Sequence, residues 1–448
     1  DNNCNCNGLV SPDRVPNPQM FEVGYYYQNI WSNLMERDGQ DGKKEYLLTV
    51  KNENFFRNMD YVTLAWTLMA DGKPVQNGTF SDFHVEPQKS VTLRLPLKTE
   101  TEGELMLNVD FKMKESEPFL EKGQTIAYQQ FPISDYQAPL LETWAKSARL
   151  KIIDQDEDSK LRIKGRMLDA AFDTTNGLLV RYKVDGTDMI ADGGNMHPNF
   201  WRAVTDNDMG ARINKRYSVW RNPKMQITSL EAKRGKTQYG DPCVNVVAEY
   251  NMPDVEAKLK ITYPFTSNGT LMVHMKMEAS KGAKVSNMLR YGMVMQMPFS
   301  MSKSRYYGRG PVENYNDRKF SQRVGIYQQT ADDQFYPYIR PQETGTKGDM
   351  RWWEQTNKEG KGFCIFGDQP FYASALHYNQ EDLDDGDEKE QRHSTDVPHS
   401  KFTNLFIDLE HAGVGGVNSW SDEGQALPTY RVKYGDKDFG FIISPLHN

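Results

Sequence analysis

The chain has 448 residues, 38% of them hydrophobic, and a formal net charge of −7 with no basic stripe or polybasic tract. A length in this range is expected to divide into roughly two to four domains with real cores, and the charge pattern excludes nucleic acid and membrane as expected partners. No apolar run approaches the ~20 residues needed to cross a bilayer, and the 8 Trp, 23 Tyr and 21 Phe mark a globular composition, not a disordered one.

The chain opens on Asp1-Asn2-Asn3-Cys4, with neither an initiator Met nor a signal peptide, so its start reads as the product of processing or truncation. Cys4 and Cys6 are too close for a zinc knuckle, and with Cys243 and Cys364 they make no disulfide scaffold; all four read as free or structural thiols. Period-two alternation then dominates. Val62, Leu64, Trp66 and Leu68 share one face and run into Asp71-Gly72, a hairpin signal. Val91, Leu93, Leu95 and Leu97 alternate likewise, as do Leu105, Leu107, Val109 and Phe111. With further strands expected at 21–31, 46–51 and 126–131, about seven short strands fit between residues ~19 and ~135, the pattern of an immunoglobulin-like sandwich.

A linker is expected at 134–139, and beyond it the strand pattern resumes. Residues 178–184 meet Asp185-Gly186; 257–265 meet Asn268-Gly269, after which Leu271, Val273, Met275 and Met277 return. Residues 363–366, 402–409 and 430–434 look similar, while short helical turns are expected only near 213–220 and 379–383. So many strands with so few helices imply an all-β chain whose second part is a large antiparallel sandwich. Asn77-Gly78-Thr79 and Asn268-Gly269-Thr270 match the glycosylation sequon, but both read more strongly as Asn-Gly turns. The acidic run 381–390 reads as a solvated loop; a calcium loop is the minor alternative and lacks EF-hand spacing.

The sequence contains no Gly-x-Ser-x-Gly elbow, no His-Glu-x-x-His and no Walker loop. Four turn-rich aromatic motifs stand out instead: residues 199–210 (Asn199-Phe200-Trp201-Arg202 through Gly210), 307–318 (Tyr307-Gly308-Arg309-Gly310 through Arg318), 337–345 (Pro337-Tyr338-Ile339-Arg340 through Gly345) and 413–421 (Gly413-Val414-Gly415-Gly416-Val417-Asn418-Ser419-Trp420-Ser421). Taken singly, each reads as a structured loop whose polar side chains cap backbone groups. Arg309, Glu313, Asp317 and Arg318 read as an ion-paired brace. Trp420 follows a Gly-Gly turn. A loop Trp can offer a flat apolar face to the C–H face of a pyranose and an N–H as donor, yet on local sequence alone it is more often a partly buried anchor.

Together, in this order and at these intervals, the four motifs resemble the part of glycoside hydrolase family 2 β-galactosidases that follows the catalytic barrel. Asn7-Gly8-Leu9-Val10, Asp13-Arg14 and Pro16-Asn17-Pro18 are similar to the segment leaving the last barrel strand. The resemblance implies an exit segment over residues 1–16, an immunoglobulin-like β-sandwich over 17–137, and over 142–448 the large C-terminal sandwich of the small-chain type, a galactose mutarotase-like supersandwich. The catalytic TIM barrel, with the two Glu residues used for retaining hydrolysis, is absent. No catalytic residue is therefore expected here, and the chain alone is expected to be inactive. Trp420 matches the family Trp that reaches the galactose site, and Asn7 matches an Asn that contacts sugar and a sodium ion. Where the family often has Phe three residues before that Asn, this chain has Cys4, which keeps a carbonyl and lacks the ring. Arg202, Asp206, Asn207 and Asp208 match a loop bordering the active-site mouth; they either shape a mobile rim or hold structure.

The implied partners are β-galactoside sugars and the catalytic barrel of the same polypeptide, with a homo-oligomer left open. No cofactor is expected in this chain; Mg2+ and Na+ are open for the full-length enzyme. Periplasm and cytoplasm of a bacterium both remain open. Two competing readings are a stand-alone carbohydrate-binding module and a mutarotase-like enzyme, the latter needing a His and a carboxylate, with His377 and Glu343 as conceivable candidates.

Overall fold

The computed structural model describes residues 8–39, 43–82, 84–138, 149–153, 159–384 and 392–446. Asn7, Cys4, Cys6 and most of the acidic run at 381–390 lie outside the described residues. The chain divides into two compact units, one of residues 8–137 with 323–326, the other of residues 138–322 with 327–448.

The small unit is an immunoglobulin-like β-sandwich preceded by one helix. Helix α1 spans Pro18–Tyr26. Strands β1 (Ile30–Asp38), β2 (Lys44–Asn52), β3 (Val62–Ala70), β4 (Lys73–Phe80), β5 (Ser90–Leu95), β6 (Leu105–Met113) and β7 (Thr125–Pro132) follow. They form a three-stranded sheet, β1-β2-β5, and a four-stranded sheet, β4-β3-β6-β7. The alternation in β3 buries Val62, Leu64, Trp66 and Leu68 and leaves the residues between them half-buried. Most of these inward side chains join Leu48, Val50, Leu107, Val109 and Phe111 in one cluster; each such burial is worth about 1.5–3 kcal/mol. Asp71 (φ +45°) and Gly72 (φ +75°) connect β3 to β4, the pair of positive φ values that a tight, right-twisted hairpin needs.

Two sequence expectations give way here. Residues 21–31 are not one strand: α1 occupies the first half and β1 begins at Ile30. Asn17 stands at the N-cap position and Pro18 inside the first turn, where a missing N–H costs nothing. Only Pro18 of the helix is buried, so no 3.6-residue apolar period marked it. Asn77-Gly78 is not a turn but lies within β4, opposite Thr67 and Trp66. Glycine is needed there for packing, since a Cβ on Gly78 would lie 2.6 Å from the Trp66 ring.

In the large unit the strands close into one antiparallel hydrogen-bonded system. Strands Gln226–Lys236, Pro242–Met252, Ala257–Phe265, Leu271–Ala279 and Lys437–Pro445 pair in succession. The long strand Gly362–Leu376 links layers: its first part pairs with Lys437–Pro445, its last part with Phe402–His411. Strand Phe402–His411 in turn pairs with Arg290–Pro298. Asn268-Gly269 is the expected turn between two of these strands, with Gly269 at φ +93°. Met275, Met277, Met293, Met295, Tyr182, Tyr263, Phe265 and Trp353 fill the core. Short helices at Ile213–Arg216 and Gln380–Leu383 stand where helical turns were expected. Every strand pairing among the described residues is antiparallel, so they contain no (β/α)8 barrel.

Candidate functional site

Strand Phe402–His411 ends beneath a glycine-rich loop that carries Trp420. The Gly413 N–H donates to the Tyr430 carbonyl (2.8 Å), and its own carbonyl accepts from Arg202 Nη2 (3.0 Å). The amides of Val414 (3.1 Å) and Gly415 (2.8 Å) both donate to the Asp317 carboxylate. A Cβ on Gly413 would lie 2.4 Å from that carboxylate, so the backbone comes this close only as glycine. Farther on, Asn418 Oδ1 accepts from the amides of Trp420 (3.1 Å) and Ser421 (3.0 Å), a side-chain turn that shapes the tip. Ser421 then caps the short helix Asp422–Gly424.

At this tip Trp420 is 76% exposed. Its amide is tied down, while its indole ring and N–H have no hydrogen bond or ring contact among the described residues. The partly buried anchor favoured by local sequence alone is not what forms.

The motif at 199–210 meets this loop from below. Helix α2 (Asp206–Gly210) begins with a capping box between Thr205 and Asp208, and α3 (Ile213–Arg216) follows. Arg202 and Asp208 are 0% and 4% exposed and pair at 2.6 Å, so neither side chain lines a rim; they brace the loop through the Gly413 carbonyl. Burial alone would lower the Arg202 pKa; the Asp208 and Glu343 carboxylates outweigh it and hold the guanidinium above its usual value. Asp206 and Asn207 are half-buried: Asp206 lies 3.5 Å from Arg340, and Asn207 Oδ1 accepts from Ser419 Oγ (2.7 Å). Arg216 pairs with Asp422 (3.1 Å).

The other two motifs complete the base. Glu313 accepts from Arg318 Nη2 (2.6 Å), the Gly345 amide (2.7 Å) and Thr344 Oγ1 (3.1 Å). Arg309, however, pairs with Asp349, and Asp317 serves backbone amides, so the expected four-residue brace is divided between three structures. Arg290, which sequence reasoning missed, lies between two buried carboxylates, 3.4 Å from Glu343 and 3.2 Å from Asp408. One cation cannot fully serve both. Burial raises Glu343, but Arg290, His411 and Thr346 pull it down to about 2, and it is ionised. Burial pushes Asp408 up to about 7, with Arg290 opposing and the Glu343 charge adding to the rise. Burial also lowers His411 to about 4 and Lys347 to about 7. These perturbed groups are all at most 7% exposed and belong to the buried network under the loop. His377 bonds Asp332 and the Phe299 carbonyl, apart from the partners of Glu343.

The motifs at 199–210 and 307–318 thus meet the loop of Trp420 directly, and the motif at 337–345 joins them through Arg340–Asp206 and Gly345–Glu313. Sequence reasoning singled out Trp420 but not Asn418, whose signal is local: an Asn two residues before the Trp and three before a Ser. Among the described residues no group of three or more His, Cys, Asp or Glu side chains gathers as a metal-ligand set.

Two family models match the chain: "Beta galactosidase small chain" over residues 164–443 and "Beta-galactosidase, domain 4" over residues 48–134. A β-galactosidase of Priestia megaterium is 29% identical across 100% of this chain and 41% of its own length. Those of Pseudoalteromonas haloplanktis and Lactobacillus delbrueckii subsp. bulgaricus are 26% and 28% identical, each across 93% of this chain and 40% and 39% of their own lengths. The chain therefore spans about two fifths of the length of the curated relatives it matches. Among solved structures, a galactose 1-epimerase of Lactobacillus acidophilus aligns with 67% of this chain at 8% identity and a TM-score of 0.36, too low to bear on fold or function. With the small-chain match running through most of the larger unit, the chain belongs to the β-galactosidase small chain family.

Proposed function

We propose that this chain is the non-catalytic, C-terminal part of a retaining β-galactosidase, completing a galactoside pocket whose catalytic carboxylates lie elsewhere in the polypeptide and supporting its assembly. The observation that carries this reading is the exposed, unpartnered indole of Trp420 on a loop braced by the motifs at 199–210 and 307–318. Leaving an indole in water forgoes its burial energy, which makes sense where a ligand supplies the second surface. Covering one indole face with the C–H face of a galactose ring returns about 1–3 kcal/mol. The barrel that would oppose this platform is missing from the described residues, so binding by this chain alone is weak, in the millimolar range or about −4 kcal/mol.

Two measurements on this chain test the proposal. Incubation with a nitrophenyl β-galactoside is expected to give no release of nitrophenol, and robust turnover would refute the placement of catalysis elsewhere. Titration with a non-hydrolysable β-thiogalactoside, followed by ligand-observed NMR, is expected to show weak binding that falls about tenfold or more in Trp420→Ala. The alternative of a stand-alone carbohydrate-binding protein shares the same platform and predicts micromolar affinity instead. Asn7, matched to a sugar and sodium contact, belongs to this proposal but lies outside the described residues.

A further inference from the structure

The tip that carries Trp420 does not hold its position by itself. Asn418 and Ser421 shape the turn from within, but three contacts fix that turn against the helix Asp206–Gly210. Ser419 Oγ donates to Asn207 Oδ1 at 2.7 Å. Gly210 lies so close to the tip that an added Cβ would be 2.0 Å from the Ser419 carbonyl oxygen and 2.8 Å from the Trp420 amide nitrogen. From the other side, a Cβ on Gly424 would be 2.7 Å from the Asn207 carbonyl oxygen. The helix is anchored in turn by its Thr205–Asp208 capping box and by the buried Arg202–Asp208 pair. A continuous path therefore runs from the buried guanidinium through the Asp208 side chain and the helix to the peptide that carries the indole, with side-chain contacts at Arg202–Asp208 and Asn207–Ser419 and a backbone contact at Gly210.

We propose that Asn207 and Gly210 are positioning residues for Trp420: they fix the Ser419–Trp420 peptide, and through it the direction in which the indole faces a sugar. The proposal rests on the reading that Trp420 meets sugar, but the orientation it describes is measurable without one. Asn207 accepts a hydrogen bond that only Ser419 supplies from this loop, and Gly210 gives the room for a peptide to lie directly on the helix. Neither residue touches the ligand in this scheme.

The test uses the 448-residue chain labelled with 5-fluorotryptophan, with the Trp420 resonance assigned by its loss in Trp420→Phe. Asn207→Ala and Ser419→Ala are expected to shift and broaden that resonance and to weaken thiogalactoside binding about three- to tenfold, the worth of one hydrogen bond. Their thermal midpoints should stay close to the parent value. Asn207→Asp, which keeps an acceptor for Ser419, should restore both readouts, and Gly210→Ala should displace the resonance most, by steric wedging. An unchanged Trp420 resonance in Asn207→Ala and Gly210→Ala overturns the proposal. A resonance that moves while sugar binding is unaffected by Trp420→Ala upholds the positioning and instead overturns the sugar contact on which its purpose rests.

Discussion

Replacing Asp208 with Asn tests the deepest support of the Trp420 loop. Asp208 and Arg202 are 4% and 0% exposed and 2.6 Å apart, so the substitution removes the carboxylate paired with a buried guanidinium and leaves it only the more distant charge of Glu343. Arg202 keeps its bond to the Gly413 carbonyl, but a neutral oxygen does not replace a carboxylate. Breaking one side of such a pair costs about 3–5 kcal/mol. For a unit of this size, with a midpoint change near 2 °C per kcal/mol, the unfolding transition is expected to fall by about 6–10 °C in differential scanning calorimetry. The double variant Arg202→Met/Asp208→Leu removes both charges and should recover part of that loss, because it leaves no unpaired buried charge from the couple. A drop of less than about 2 °C in Asp208→Asn would refute the assignment of the pair as the brace.

Three further outcomes follow from the geometry. Asp408 should keep its proton in the fold between about pH 4 and 7 while the unfolded chain ionises, so its contribution to stability declines as pH rises through that window. Asp408→Asn mimics the neutral form, and its midpoint should gain on the parent from about pH 4 to 7 and hold that lead above; a gap independent of pH would refute this. Asp317→Ala removes the acceptor for the Val414 and Gly415 amides, whose hydrogen exchange should accelerate about ten- to hundredfold, with unchanged rates counting against the clamp. Gly78→Ala drives a methyl against the Trp66 ring and should cost the small unit about 1–3 kcal/mol in urea unfolding; a neutral effect would show that β4 yields easily.

Strand type and turn position were legible wherever one face is buried and the other is not. Val62 to Leu68 alternates because one face of β3 lines the core, and Asp71-Gly72 and Asn268-Gly269 turn because those residues tolerate positive φ. The same rules failed at Pro18–Tyr26, whose nine residues bury only Pro18 and so carry no apolar period. They failed again at Asn77-Gly78, where the glycine answers to a tryptophan on the neighbouring strand.

Period-two alternation was enough to read the all-β class, and motif order was enough to single out Trp420. Which residues of those motifs meet is set by packing. Arg202 and Gly413 are 211 residues apart and bond, as do Asp317 and Gly415, 98 apart, and Asn207 and Ser419, 212 apart. Local sequence carries no information about partners at such separations, because the packing of whole sheets brings them together. The exposure of Trp420 depends on both scales: an indole on a glycine-rich loop can fold inward or stand in water, and here a local bond from its amide to Asn418 and a long-range bond from the neighbouring Ser419 to Asn207 fix the turn that holds it out.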